Sequence, residues 1–216
     1  MVFMKMINDG GPVMWIIMFC SLIGLFVFFE KWFQFHREQI NIRELVKGLI
    51  NVLKRDGLME AITLCENTPG PVAKVLKEAI LAYERGEEDL ERAIEDEKLV
   101  QIPALERHLD ILGTIGYVAP LLGLLGTVLG MMEAFQTIYA KSVYVSAQDL
   151  SGAIGMALIT TAGGLCVAIP CYVAYNYLVA RVNSMILEIE KTSSELIYFF
   201  NHHDKEKKLS RGENNG

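Results

Sequence analysis

The chain has 216 residues, 52% of them hydrophobic, a mean hydropathy of +0.30 and a formal net charge of −6. Three long uncharged windows within that composition exclude an ordinary soluble globule and point to an integral membrane protein that also owns a sizeable polar part. No basic patch suggests a nucleic-acid partner, and the scattered Cys20, Cys65, Cys166 and Cys171 show neither metal-ligand spacing nor a CxxC pair.

The expected fold is all-α, with three transmembrane helices and long helices extending into the cytoplasm. The first uncharged window, Gly10 to Phe29, lies between Asp9 and Glu30. Its span is placed at 12–29, the shortest of the three, after an extracytoplasmic amino terminus of residues 1–11. A secretory signal is rejected because no small-residue cleavage site follows and the helix runs into Glu30, Lys31 and Trp32, a charged and aromatic membrane border.

Residues 30–110 read as a cytoplasmic helical domain. Ile42, Leu45, Val46, Leu49, Ile50 and Leu53 recur at helical spacing, and a break at Asp56-Gly57 leads to a second helix with Ala61 and Ile62. The stretch Asn67-Thr68-Pro69-Gly70-Pro71 is a loop, after which Val72, Val75, Leu76, Ala79, Ile80 and Tyr83 form another apolar stripe. A long segment from Glu87 to Asp110 follows, with Pro103 as a kink or boundary. The acidic run Glu84 to Glu97 is a solvated helix face or, alternatively, a docking surface.

The second span is placed at 111–132, a short periplasmic loop at 133–152, and the third span at 153–180. A helical stripe of Val182, Met185, Ile186, Ile189, Ser193, Leu196 and Phe200 continues at 181–203, and 204–216 reads as a disordered tail. Twelve Lys or Arg lie between Phe29 and Ile111 and six follow Ala180, against Lys5 and Lys141 on the other side. The positive-inside rule therefore places the amino terminus outside and the carboxyl terminus in the cytoplasm.

The segment Leu150 to Ala180 is 31 residues without a charge, yet it holds Thr160, Thr161, Gly163, Gly164, Pro170 and Asn176. A helix that only anchors needs none of these, so they point to close packing or a polar pathway. In the second span, Gly116 and Pro120, Gly123 and Thr127, and Gly126 and Gly130 are each four apart, as are Gly164 and Ala168 in the third. Small side chains at that spacing let another helix approach closely in lipid. Thr160 and Thr161 point about 100° apart, so at most one faces a cavity while the other packs or bonds back to its own helix. Thr127 is open to the same two readings. Pro120 and Pro170 are static kinks or points of helix opening, and Asn176 serves an interface or a pathway exit. The four histidines all lie outside the spans and read as surface residues. No nucleophile, base and orienting group occur together, no phosphate loop is present, and no cofactor or metal is expected; the chain does not read as an enzyme.

Two stretches carry a resemblance. Ala119 to Gly130, reading APLLGLLGTVLG with Phe135 beyond, and Ala157 to Leu165, reading ALITTAGGL with Ala168-Ile169-Pro170 and Tyr175-Asn176, resemble the signatures of the ExbB/TolQ proton-channel family, relatives of the flagellar stator subunit MotA. The resemblance implies a bacterial inner-membrane motor subunit, a homopentamer around a dimer of a single-span ExbD/TolR-like partner that carries the titrating aspartate. Force would pass to the envelope or outer membrane, with a TonB/TolA-like protein as a further partner. The family's cavity-lining threonines fall on Thr127 and Thr161, and Thr161 is favoured over Thr160 as cavity-facing. One position departs: the family's glutamate five residues before the third-span threonine is Met156 here, so the polar network around the partner's acid must differ. The competing readings are an oligomeric membrane scaffold without conduction and a MotA-like stator, the latter disfavoured by three spans instead of four.

Overall fold

The computed structural model describes residues 10–37, 41–87, 89–141 and 147–212. Its elements are helices α1 (Gly11–Arg37), α2 (Ile42–Leu53), α3 (Leu58–Glu66), α4 (Pro71–Glu84), α5 (Leu90–Glu106), α6 (Leu109–Lys141) and α7 (Ala147–Gly212), and no strand occurs among the described residues. The chain divides into two compact units: unit one comprises Met1–Trp32 and His108–Val179, unit two Phe33–Arg107 and Ala180–Gly216. Three helices are long and apolar enough to cross a membrane.

Unit two is held by aliphatic burial. The predicted stripes become its core: Leu45, Leu49 and Leu53 from α2, Ala61 and Ile62 from α3, and Val75, Leu76 and Ile80 from α4. The last helix adds Ile189, Leu196 and Phe200, and the Phe200 ring stacks on Tyr83 with centroids 4.0 Å apart and planes 9° from parallel. Helix boundaries follow local chemistry. Gly70 sits at φ 112°, a conformation that favours glycine, and Pro71 opens α4, where its missing N–H costs no hydrogen bond. Asp89 caps α5 by accepting a hydrogen bond from the Arg92 backbone N–H at 3.0 Å. Burial among these apolar groups pushes the Cys65 thiol up from 9.0 to about 11.

Two boundaries differ from the sequence expectation. The loop expected at 133–152 is mostly helix, since α6 runs on to Lys141 and α7 begins at Ala147; residues 142–146 lie outside the described residues. The stretch 204–212, expected as part of a disordered tail, forms the end of α7, with 213–216 outside the described residues. In both cases charge and polarity marked where hydrocarbon ends, whereas Glu, Lys and Ala are good helix formers in water as well. Pro103 does not interrupt α5: its carbonyl accepts from Arg107 N–H at 2.9 Å, and the break falls at His108, with φ 68°.

In unit one the first 22 residues of α1 pack on α6 and α7 through one face. Val13, Met14, Ile17, Gly24 and Val27 are buried, while Trp15, Phe19, Leu22 and Phe26 are between 62% and 70% exposed. A continuous row of large apolar side chains turned outward is costly in water and favourable in lipid.

Candidate functional site

The site is the seam where α6 and α7 of unit one run antiparallel. Gly116, Ala119, Gly123, Gly126 and Gly130 form its α6 side, at alternating steps of three and four residues, and all five are buried. A Cβ on Gly116 would lie 3.3 Å from Tyr172 Cβ, and one on Gly123 would lie 3.0 Å from Thr161 Cα. At Gly126 a Cβ would run into the Thr160 hydroxyl, and at Gly130 it would come within 2.8 Å of both the Ala153 carbonyl oxygen and Ala157 Cβ. From the opposite helix, a Cβ on Gly164 would stand 2.5 Å from the Ala119 carbonyl oxygen. The contacts at Gly126, Gly130 and Gly164 are closer than real side chains allow, and at Gly123, Gly130 and Gly164 the atoms met include the opposite backbone.

The threonines take three different positions on that seam. Thr160 is 1% exposed, and its hydroxyl lies within hydrogen-bonding reach of the carbonyls of Met156 at 3.0 Å and Ala157 at 2.9 Å in its own helix. Thr161, half-buried, reaches across the seam: its hydroxyl is 3.1 Å from the Gly123 carbonyl of α6 and 3.3 Å from the Ala157 carbonyl of its own helix. Thr127, also half-buried, donates to the Leu124 carbonyl one turn back. Only Thr161 therefore has a carbonyl of each helix within reach of its hydroxyl.

The remaining candidates spread along the same two helices. Ala168 is buried, Pro120 half-buried, and Pro170 exposed. Asn176 is exposed and donates from Nδ2 to the Tyr172 carbonyl at 2.9 Å. Met156 is half-buried, with its sulfur 2.9 Å from where a Cβ on Gly11 would stand. An apolar cleft of about 730 Å³ lies between α1 and α7, walled by Phe28, Trp32, Pro170, Cys171 and Tyr177 among others. Two smaller clefts, of about 250 and 390 Å³, lie at the other end of unit one, and both are lined by Glu133 and Met156.

Sequence reasoning missed three contacts of the same kind. A Cβ on Gly24 would lie 2.8 Å from Cys171 Sγ, one on Gly163 would lie 2.8 Å from Met14, and one on Gly113 would lie 3.2 Å from Tyr175. The available signal was Gly24, the one glycine in the first span at 12–29. Spacing by four alone also hid Ala119, because antiparallel helices in close contact use steps of three and four together.

Chemically, the seam offers hydroxyls and backbone carbonyls but no acid: the windows Ile111 to Met132 and Leu150 to Ala180 contain no charged residue. Among the described residues no group of three His, Cys, Asp or Glu is placed to hold a metal ion. Hydroxyls can donate and accept, but they do not carry a proton as a charge at neutral pH.

A glycine-locked helix pair, together with three apolar helices of membrane length, defines an all-helical, multi-span membrane protein. The chain belongs to the MotA/TolQ/ExbB proton channel family, whose sequence profile matches residues 67–191. An ExbB homolog of Methanothermobacter thermautotrophicus, a biopolymer transport protein by name, is 29% identical over 188 residues, which span 87% of this chain and 66% of the relative. A biopolymer transport protein ExbB-like 3 of Synechocystis is 28% identical over 203 residues, 92% of this chain and 96% of its own length. The Tol-Pal system protein TolQ of Haemophilus influenzae is 41% identical over 85 residues, 39% of this chain and 37% of that protein. The resemblance drawn from the two span motifs is thus shown at the level of the family.

Proposed function

We propose that this chain is the multi-span subunit of an inner-membrane motor driven by the proton-motive force. It conducts ions together with a single-span ExbD/TolR-like partner and transmits the energy to the cell envelope or outer membrane. A pentamer of this chain surrounds a dimer of the partner, with a TonB/TolA-like protein as a further recipient of the force.

The observation that carries this reading is Thr161, whose hydroxyl reaches carbonyls on both helices of a pair that contains no acid. A conducting path needs a titratable group as well as hydroxyls, and the acid-free spans support its being supplied by another chain. Thr161, Thr127 and Thr160 then supply oxygens beside it, able to order a short water chain or solvate a carboxylate. Each charge that crosses releases about 2.3 kcal/mol per 100 mV, so several charges suffice to drive a packing rearrangement.

The scaffold reading keeps one observation in its favour: the hydroxyls of Thr127, Thr160 and Thr161 all lie within reach of backbone carbonyls. Thr161→Val separates the two. Valine keeps the shape and removes the hydroxyl, so a conducting subunit would assemble normally and lose at least about tenfold in proton flux into partner-containing vesicles, on the scale of a lost proton-transfer group. Unchanged flux in that variant would remove Thr161 from the path, and vesicles of the intact complex without any flux would leave the scaffold reading.

A further inference from the structure

We propose that Glu133 is the proton-loading carboxylate of this subunit, taking protons from the aqueous phase at the end of unit one where α1 and α7 begin and α6 leaves its apolar window. The inference rests on the transport reading above and adds to it a group on this chain that titrates.

In unit one the carboxylates among the described side chains are Glu30, Asp110 and Glu133. Asp110 opens α6, and Glu30 lies 3.3 Å from the Nδ1 of His108, which immediately precedes α6. Glu133 stands 23 residues after Asp110 on the same helix, so it belongs to the opposite end. There its side chain is exposed, and the Thr137 hydroxyl donates to its backbone carbonyl at 2.9 Å, one turn further along the helix.

Two clefts meet at this residue. One is bounded by the start of α1 and by Gly126 of α6, the other by the first turns of α7, and Glu133 and Met156 are the residues common to both. Among the described residues, no other lining residue of either cleft is titratable, from α1, α6 or α7. Gly152 and Gly155 have nothing within 4 Å of where a Cβ would stand, so the second cleft gives the carboxylate room for water. The first cleft reaches Gly126, the seam glycine at which a Cβ would run into the Thr160 hydroxyl.

The step is a simple proton exchange. A hydronium ion in the outer water gives its proton to a Glu133 carboxylate oxygen, forming an O–H bond and leaving water. That bond breaks when the proton passes to water in the cleft beside Gly126, and the carboxylate is regenerated. Threonine cannot perform this step because it does not hold a second proton at neutral pH.

The experiment uses the intact complex with its co-purifying partner in liposomes, a potassium diffusion potential, and a pH-sensitive dye inside. Size-exclusion chromatography checks assembly of every variant. Glu133→Gln should lower proton influx about tenfold or more and abolish its saturation with external acidity. Because Met156 borders both clefts, adding Met156→Glu to Glu133→Gln should restore most of the flux. Wild-type influx in Glu133→Gln, with Thr161→Val still impaired, would overturn the assignment and leave the transport reading standing. Loss in Glu133→Gln without rescue by Met156→Glu in an assembled complex would also overturn it. A wild-type complex that conducts nothing would overturn both.

Discussion

Cys65 shows how a single side chain in unit two reports on its surroundings. It is 3% exposed, and burial favours its neutral thiol, which raises its titration from 9.0 to about 11. A group whose folded pKa lies above its unfolded value stabilises the fold fully below the unfolded pKa and ceases to do so as pH rises through the folded one. The melting-temperature difference between the native chain and Cys65→Ala should therefore narrow as pH is raised from below 9 to about 11. A difference independent of pH over that interval would mean that the thiol is not shielded. The nearby Lys77 ammonium, 2.7 Å from the Glu66 carboxylate, favours the thiolate but acts less strongly than burial.

At the scale of helices, the seam between α6 and α7 depends on glycine for space and not for flexibility. Replacing Gly126 by Ala puts a methyl group against the Thr160 side chain, in a contact that requires one helix to shift. Overpacking of this kind costs about 1–3 kcal/mol. Gly152 of α7 has open space where a Cβ would stand, so Gly152→Ala should be neutral or stabilise by up to about 1 kcal/mol through helix propensity alone. Thermal unfolding in detergent, followed by circular dichroism, distinguishes the two signs. Equal destabilisation would show that the seam is not closely packed at Gly126.

The same helices show what a sequence reader can and cannot see. The windows Gly10 to Phe29, Ile111 to Met132 and Leu150 to Ala180 located all three membrane-length helices, because absence of charge is a direct consequence of hydrocarbon as solvent. The stripe Val182, Met185, Ile186, Ile189, Ser193, Leu196 and Phe200 was legible for the same kind of reason: six of the seven are buried and Ile186 is half-buried. Helix ends were not legible, since α6 continues nine residues past Met132 without any change in backbone preference. The seam was half legible. Gly116, Gly123, Gly126, Gly130 and Gly164 were named from spacing, but the partner of each is set by the register of α6 on α7, which spacing within one helix does not contain. The cross-seam hydrogen bond of Thr161 to Gly123 is a product of that register too.

For the molecule as a whole, charge and apolar surface divide the chain in the same way as its compact units. Seventeen of the 20 Lys and Arg fall in unit two, while unit one carries the three uncharged windows. Basic residues are retained on the cytoplasmic side during insertion, so this distribution supports an orientation with unit two in the cytoplasm and the amino terminus outside. The prediction can be read at Glu87, in the short connection between α4 and α5, where an inserted domain interrupts neither helix. Green fluorescent protein inserted there should fluoresce, because it matures in the cytoplasm and not after export in an unfolded state. Alkaline phosphatase at the same point should be inactive, because its disulfides require the oxidising side of the membrane. The opposite pair of results would invert the chain in the bilayer and place Glu133 on the proton-poor side of an energised membrane, where a loading carboxylate has no protons to collect.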